Sequence, residues 1–128
     1  MKKIILLILF SSIFTSDITI DTAEIVALSA YKEKKGVGQK IEIHSVYGYP
    51  DFYAPSIYIF NIVNEGYILI ASENRINPII GFDFENHFEI NNIPPQLENL
   101  LIYYSDQIEF IRSSDFESED EIISEWNH

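Results

Sequence analysis

An α+β fold is predicted for this chain: an antiparallel sheet of four to five strands packed against two helices. Three observations carry that expectation. Two stretches, about 22–35 and 97–112, place apolar residues at helical spacing. Between them lie short apolar runs separated by turn residues, and two of these runs are apolar on both faces. The order of segments is helix, strand, a hairpin of two strands, strand, helix, which gathers the strands in the middle of the chain. The 128 residues are enough for one domain, and an apolar content of 47% is enough for a real core.

The first sixteen residues stand apart from that fold. Met1-Lys2-Lys3 is basic, Ile4 to Phe10 is an unbroken apolar run, and Ser11, Ser12, Thr15 and Ser16 follow. This is the layout of a secretory signal peptide, with a buried N-terminal strand as the alternative. The run is shorter than the roughly 20 apolar residues a bilayer span needs. Cleavage near Ser16 is expected, although Phe14 fits the small-x-small rule poorly. The mature chain would then carry 20 acidic residues against 6 basic ones, a net charge of −14. Such a chain is repelled by phosphate backbones and anionic lipid. The expectation is no nucleic acid and no stable membrane association once the signal is removed.

In the first helix, Asp21-Thr22-Ala23-Glu24 reads as a capping box with Asp21 at the N-cap. Ala23, Val26, Ala27, Ala30 and Tyr31 form a small-residue stripe suited to close approach to a sheet. Lys32, Lys34 and Lys35 suit the C-terminal end of the helix dipole, and Gly36 and Gly38 stop the helix. Residues 41–46 alternate as a strand, and Tyr47 to Pro55 reads as a loop. Residues 56–63 and 67–71 are the two central strands. Asn64-Glu65-Gly66 is the hairpin turn, with Gly66 available for positive φ. Pro78 to Phe82 reads as a strand starting at its proline. His87 to Ile90 suggests a short edge strand. Asn91-Asn92-Ile93-Pro94-Pro95-Gln96 is a stiff, amide-rich connector. It leads into a second helix whose stripe is Leu97, Leu100, Leu101, Tyr104, Ile108 and Ile111. Residues 113–128 are acidic, with Phe116, Ile122, Ile123 and Trp126 interspersed. They read either as a mobile, solubilising tail or as a short helix docked on something. The expected organisation is 1–16 signal peptide, 17–112 domain and 113–128 acidic tail.

Composition excludes much chemistry. With no cysteine there is no thiol catalysis, zinc finger, iron–sulfur cluster or disulfide from this chain. No phosphate-binding loop, H-E-x-x-H or G-x-S-x-G motif occurs, and no cofactor is expected. Gly36-Val37-Gly38 follows a helix rather than a strand, so it does not read as a dinucleotide site. Asp83, Glu85 and Glu89 cluster around His87. They could serve acid–base work, with an exposed turn at a strand end as the plainer reading. His44 reads as a solvated strand residue. Asn61, inside an apolar strand, reads as a buried amide bonded to a neighbouring loop.

The run Tyr58-Ile59-Phe60-Asn61-Ile62, then Gly66-Tyr67-Ile68-Leu69-Ile70-Ala71, then Arg75, Pro78 and Ile79-Ile80-Gly81-Phe82 resembles a known pattern. It is similar to the propeptide of streptopain-type cysteine proteases and to the related free-standing inhibitors called Spi. Asn61, Gly66, Arg75, Pro78 and Gly81 recur at matching spacing, and the resemblance covers about 22–112. The chain departs from the pattern at Ala71-Ser72-Glu73, where the family has Ser-Gly-Asp. Glu73 keeps the acid, and Ser72 replaces the glycine.

The resemblance implies a secreted or periplasmic inhibitor acting in trans on a streptopain-like, papain-fold protease. Binding would be non-covalent, over the active-site cleft. No enzymatic activity of its own is implied. In the family, the segment entering the second helix offers an amide to the catalytic centre. By position that residue is Gln96, where the family's best-known member has Asn; Asn91 and Asn92 compete for the role. Ile93, Pro94 and Pro95 complete the expected protease-binding segment. Two other functions stay open: a propeptide-like folding helper without inhibitory activity, and a small acid–base enzyme using His87.

Overall fold

The computed structural model describes residues 17–36 and 40–127. The proposed signal peptide, Val37, Gly38, Gln39 and His128 lie outside the described residues. Seven elements follow in order: α1 (Ile20–Lys35), β1 (Ile43–Tyr49), β2 (Ile57–Ile62), β3 (Tyr67–Ala71), β4 (Ile79–Asp83), α2 (Pro95–Arg112) and α3 (Asp120–Trp126). The four strands form one antiparallel meander in the order β1-β2-β3-β4. None of the helices among the described residues is long and apolar enough to cross a membrane. The fold is α+β, as the sequence predicts.

Alternation sorts the central strands onto two faces. Tyr58, Phe60, Ile62, Ile68 and Ile70 pack with Ala23, Val26, Ala27, Ala30 and Tyr31 of α1. Ile57, Ile59, Leu69 and Ala71 pack on the other face with Leu101 and Ile108 of α2. One helix therefore covers each face, and β2 is buried along its whole length. The alanines of α1 keep the helix close enough to the sheet for the large residues of β2 and β3 to fill the layer.

Several boundaries differ from the sequence expectation, each for a tertiary reason. Thr19, not Asp21, caps α1, accepting the Thr22 N–H. The helix starts earlier because the chain before it is already tied to the sheet. The Ile18 N–H donates to the Ser72 carbonyl and the Tyr58 hydroxyl donates to the Ile18 carbonyl. Gly36 ends α1 in the left-handed conformation, φ 71°. β1 continues to Tyr49, through what reads as a loop, because Tyr47 and Tyr49 pair with Ile59 and Ile57 and pack on the α2 side. In the β2–β3 turn Asn64, not Gly66, takes positive φ, at 60°. Pro78 precedes β4 and contributes only its carbonyl, which accepts the Ala71 N–H. Residues 87–90 are not a strand.

The acidic tail is docked on the chain's own core. α3 forms after Glu119, and the Trp126 indole N–H donates to the Ile76 carbonyl at 2.8 Å. The Trp126 ring packs against both apolar clusters. Of the two readings, the short docked helix is the one the fold adopts, and it brings the helices to three.

Candidate functional site: the connector into α2

β4 ends at Asp83, beside the β2–β3 turn. The chain then has to cross from the sheet to the start of α2. Phe88 holds the middle of this crossing. Its side chain is buried among Tyr47, Tyr67 and the α2 cluster, a burial that stabilises by about 2 kcal/mol. Its backbone is held by Asn61. The Asn61 amide NH2 donates to the Phe88 carbonyl at 3.0 Å, and the Phe88 N–H donates to the Asn61 side-chain oxygen at 2.7 Å. The amide thus does for the connector what an adjacent strand would do. Its NH2 also donates to Ser45, which ties the same point to β1. This is the loop-bonded buried amide that the sequence suggests.

Neighbouring groups hold the rest of the crossing. The Asp83 carboxylate accepts the N–H groups of Asn86 and Glu85 and the Asn86 side chain. Those backbone donors hold its carboxyl below the usual range. The His87 Nε2–H donates to the Ile62 carbonyl at 2.7 Å. The His44 ring lies 5.1 Å from the His87 ring. His87 sits between two shallow concavities of about 300 and 250 Å³. Its Nε2 and the Asp83 carboxylate are engaged in fixing backbone, which favours the structural reading of this cluster over an acid–base one. Gly66 is required by space. A Cβ there would lie 1.6 Å from the Asp83 carbonyl oxygen. Its N–H donates to the Tyr31 hydroxyl, whose pKa burial raises.

Held in this way, the connector turns five of the six residues 91–96 outward. Asn91, Asn92, Pro94, Pro95 and Gln96 are exposed, and Ile93 is half-buried against the α2-side core. Pro95 occupies the first turn of α2, and Pro94 provides no side-chain cap. The Glu98 N–H donates back to the Pro94 carbonyl, which closes the first helical bond. Gln96 stands in that first turn with its side chain in solvent.

Of the remaining residues of the motif, Gly81 lies within β4, paired with Leu69, and Arg75 and Pro78 lie at the opposite end of the sheet. Glu73 is fully buried, and Arg75 grips it with two parallel bonds of 2.9 and 3.0 Å. The Glu73 hydrogen bond raises the Arg75 pKa further. Arg75 also donates to the Ser114 and Phe116 carbonyls, fastening the start of the tail. Ser72, where the resemblance leads one to expect glycine, is buried and bonded. Its hydroxyl donates to the Pro55 carbonyl at 2.7 Å and accepts from Arg112. The substitution is therefore absorbed by a polar cluster of Pro55, Ser72, Glu109, Arg112 and Asp17. Gly81 meets only ordinary contacts: a Cβ would lie 3.6 Å from Leu69 and 3.9 Å from Leu100. Nothing in the structure demands glycine there.

Sequence reasoning missed Phe88, Arg112 and the place on the chain's own core where Trp126 docks. An aromatic in a polar turn was the available signal for Phe88. The other two become visible only when distant segments meet. Among the described residues, no group of three or more His, Asp or Glu side chains is arranged to hold a metal.

The connector is thus pinned from behind by Asn61 and exposed in front. The chain belongs to the Spi protease inhibitor family, whose model matches residues 16–108. Membership makes it a protease inhibitor, with a protease as its partner. No curated protein and no solved structure matches the chain.

Proposed function

We propose that this inhibitor acts on a papain-fold cysteine protease of the streptopain type, laying residues 91–96 over the active-site cleft as a propeptide does. The observation that carries the reading is the Asn61–Phe88 clamp, which fixes the connector while leaving its outer residues free. A papain-fold enzyme works through a thiolate beside an imidazolium. An inhibitor has only to exclude substrate and engage that pair. An exposed amide on Gln96 can donate to or accept from either member without presenting a bond to be cut. Asn91 and Asn92 lie on the same exposed segment and are the alternatives. Pro94 and Pro95 restrict the segment before binding, which lowers the entropy lost on docking. The complex is expected to bury about 1,600 Å² in total.

Residues 1–16 act as an export signal in this reading, so the mature inhibitor meets its protease outside the cytoplasm. Its acidic surface speeds association with a basic partner.

The test is titration of purified residues 17–128 against streptopain-type enzymes of known active-site concentration, with a fluorogenic peptide as reporter. Inhibition is expected to end at a 1:1 ratio. Folded protein that leaves several such enzymes active overturns the proposal. Gln96→Ala is expected to weaken inhibition about tenfold, the cost of one hydrogen bond to a charged group, with the thermal midpoint unchanged. An unaltered inhibition constant moves the contact to Asn91 or Asn92.

A further inference from the structure

The residues 91–96 are too few to make an inhibitory complex by themselves. A standard interface takes about 20–30 residues and 800 Å² from each partner, so most of the contact surface has to come from elsewhere. Gln96 points to where. On α2, Gln96, Tyr103 and Phe110 are spaced seven residues apart, so they stand within about 40° of one another over a length of about 21 Å. This is the helix face opposite the buried Leu101, Ser105 and Ile108. Tyr103 is 59% exposed and Phe110 is 64% exposed. Phe116, itself 58% exposed, brings its ring to 6.3 Å from Phe110. Tyr103, Asp106, Gln107, Phe110 and Ile111 line a groove of about 390 Å³ along this face.

Large exposed aromatics in a line are unusual on a free surface and common at the centre of interfaces. The rim is acidic: Asp106 borders the groove, and Asp115 and Glu117 flank Phe116. We propose that this α2 face is a second docking surface for the target protease, continuous with the cleft-covering segment. It takes an apolar projection with basic residues around it, on the protease surface beside the cleft. The inference rests on the proposed function for its partner and extends it from the cleft to a neighbouring exosite. Tyr103 and Phe110 would hold the complex together while Gln96 reaches the catalytic pair.

The experiment uses residues 17–128 and a streptopain-type protease, both active and with its catalytic thiol alkylated. Binding to the alkylated enzyme is measured alongside inhibition of the active one. Tyr103→Ala with Phe110→Ala is expected to weaken binding at least tenfold, mostly through faster dissociation, with the thermal midpoint unchanged because neither side chain is in the core. Unchanged binding overturns the exosite and leaves the inhibitor reading standing. Wild-type binding without inhibition overturns the cleft reading, and the double variant still decides the exosite. Neither binding nor inhibition overturns both. A photoreactive benzophenone side chain at position 103 gives a readout that removes no contact. Crosslinking to the protease supports the proposal, and crosslinking only between copies of this chain overturns it.

Discussion

At the end of the sheet where β3 passes to β4, guanidinium groups grip carboxylates and carbonyls. At the opposite end, an amide and a glycine do the holding. Arg75 joins Glu73 to the tail, and Arg112 joins Asp17, Pro55, Ser72 and Glu109. These links fasten Asp17 and the segment 112–116 to the loop 72–78, and every partner is internal. At the turn end, Asn61 and Gly66 act on the connector, one by binding its backbone and the other by making room for it. There the chain is held so that the residues beyond it face outward. Residues that look equally important in one motif thus divide into a group that stabilises and a group that positions.

Four substitutions break or sharpen that division. Arg75→Ala takes the guanidinium from a fully buried carboxylate and is expected to cost about 4 kcal/mol in urea unfolding. The fraction that remains folded should inhibit with an unchanged constant, and a loss of affinity in folded protein would dissolve the distinction between the two ends. Gly66→Ala forces a methyl group into the Asp83 carbonyl and should cost about 3 kcal/mol, since backbone has to move. Asn61→Ala removes both bonds to Phe88 and leaves a buried N–H and C=O to find water, at about 2 kcal/mol. It should cost less stability than Arg75→Ala yet weaken inhibition more, because the connector loses its clamp. Faster hydrogen exchange at the Phe88 amide reports that release directly.

The smallest effect concerns pH. The Asp83 carboxyl is held below its ordinary value by the N–H groups it accepts. Its stabilising contribution is therefore present above the unfolded pKa and is lost as pH falls through the folded value. Asp83→Asn is expected to lower the thermal midpoint slightly at neutral pH, where that contribution is present, and to flatten its decline below about pH 4, so that variant and wild type converge in acid. An unaltered acid limb would show that the turn is held by Phe88 and His87 alone.

Much of the fold was legible in residue order. The α1 stripe, the two central strands and the α2 stripe declare themselves because burial on one face or two imposes a period on the chain. Asn61 was legible as a buried amide because an uncharged polar residue in an apolar strand needs a partner. Its partner was not legible, since nothing local marks Phe88 as the residue that comes to lie beside it. The exposed connector was readable from Asn91-Asn92 and Pro94-Pro95, which discourage both strand and helix. The start of α1 was misplaced because Asp21 and Glu24 satisfy the capping pattern locally, whereas the contacts of Ile18 with Ser72 and Tyr58 come from far along the chain.

By itself, then, the sequence determined the two long helices and the two central strands, which of their faces are apolar, and that a stiff, amide-rich connector precedes α2. Those properties follow from period, turn chemistry and composition, which act over a few residues. The tertiary structure decided that the acidic tail folds back through Trp126, that Ser72 is accommodated where a glycine was expected, and that Gln96, Tyr103 and Phe110 share an open face. Each of these depends on which groups remain unpaired or uncovered after the layers close. That is a property of the packed chain, because a side chain's partner is set by distance in space and not by position in sequence.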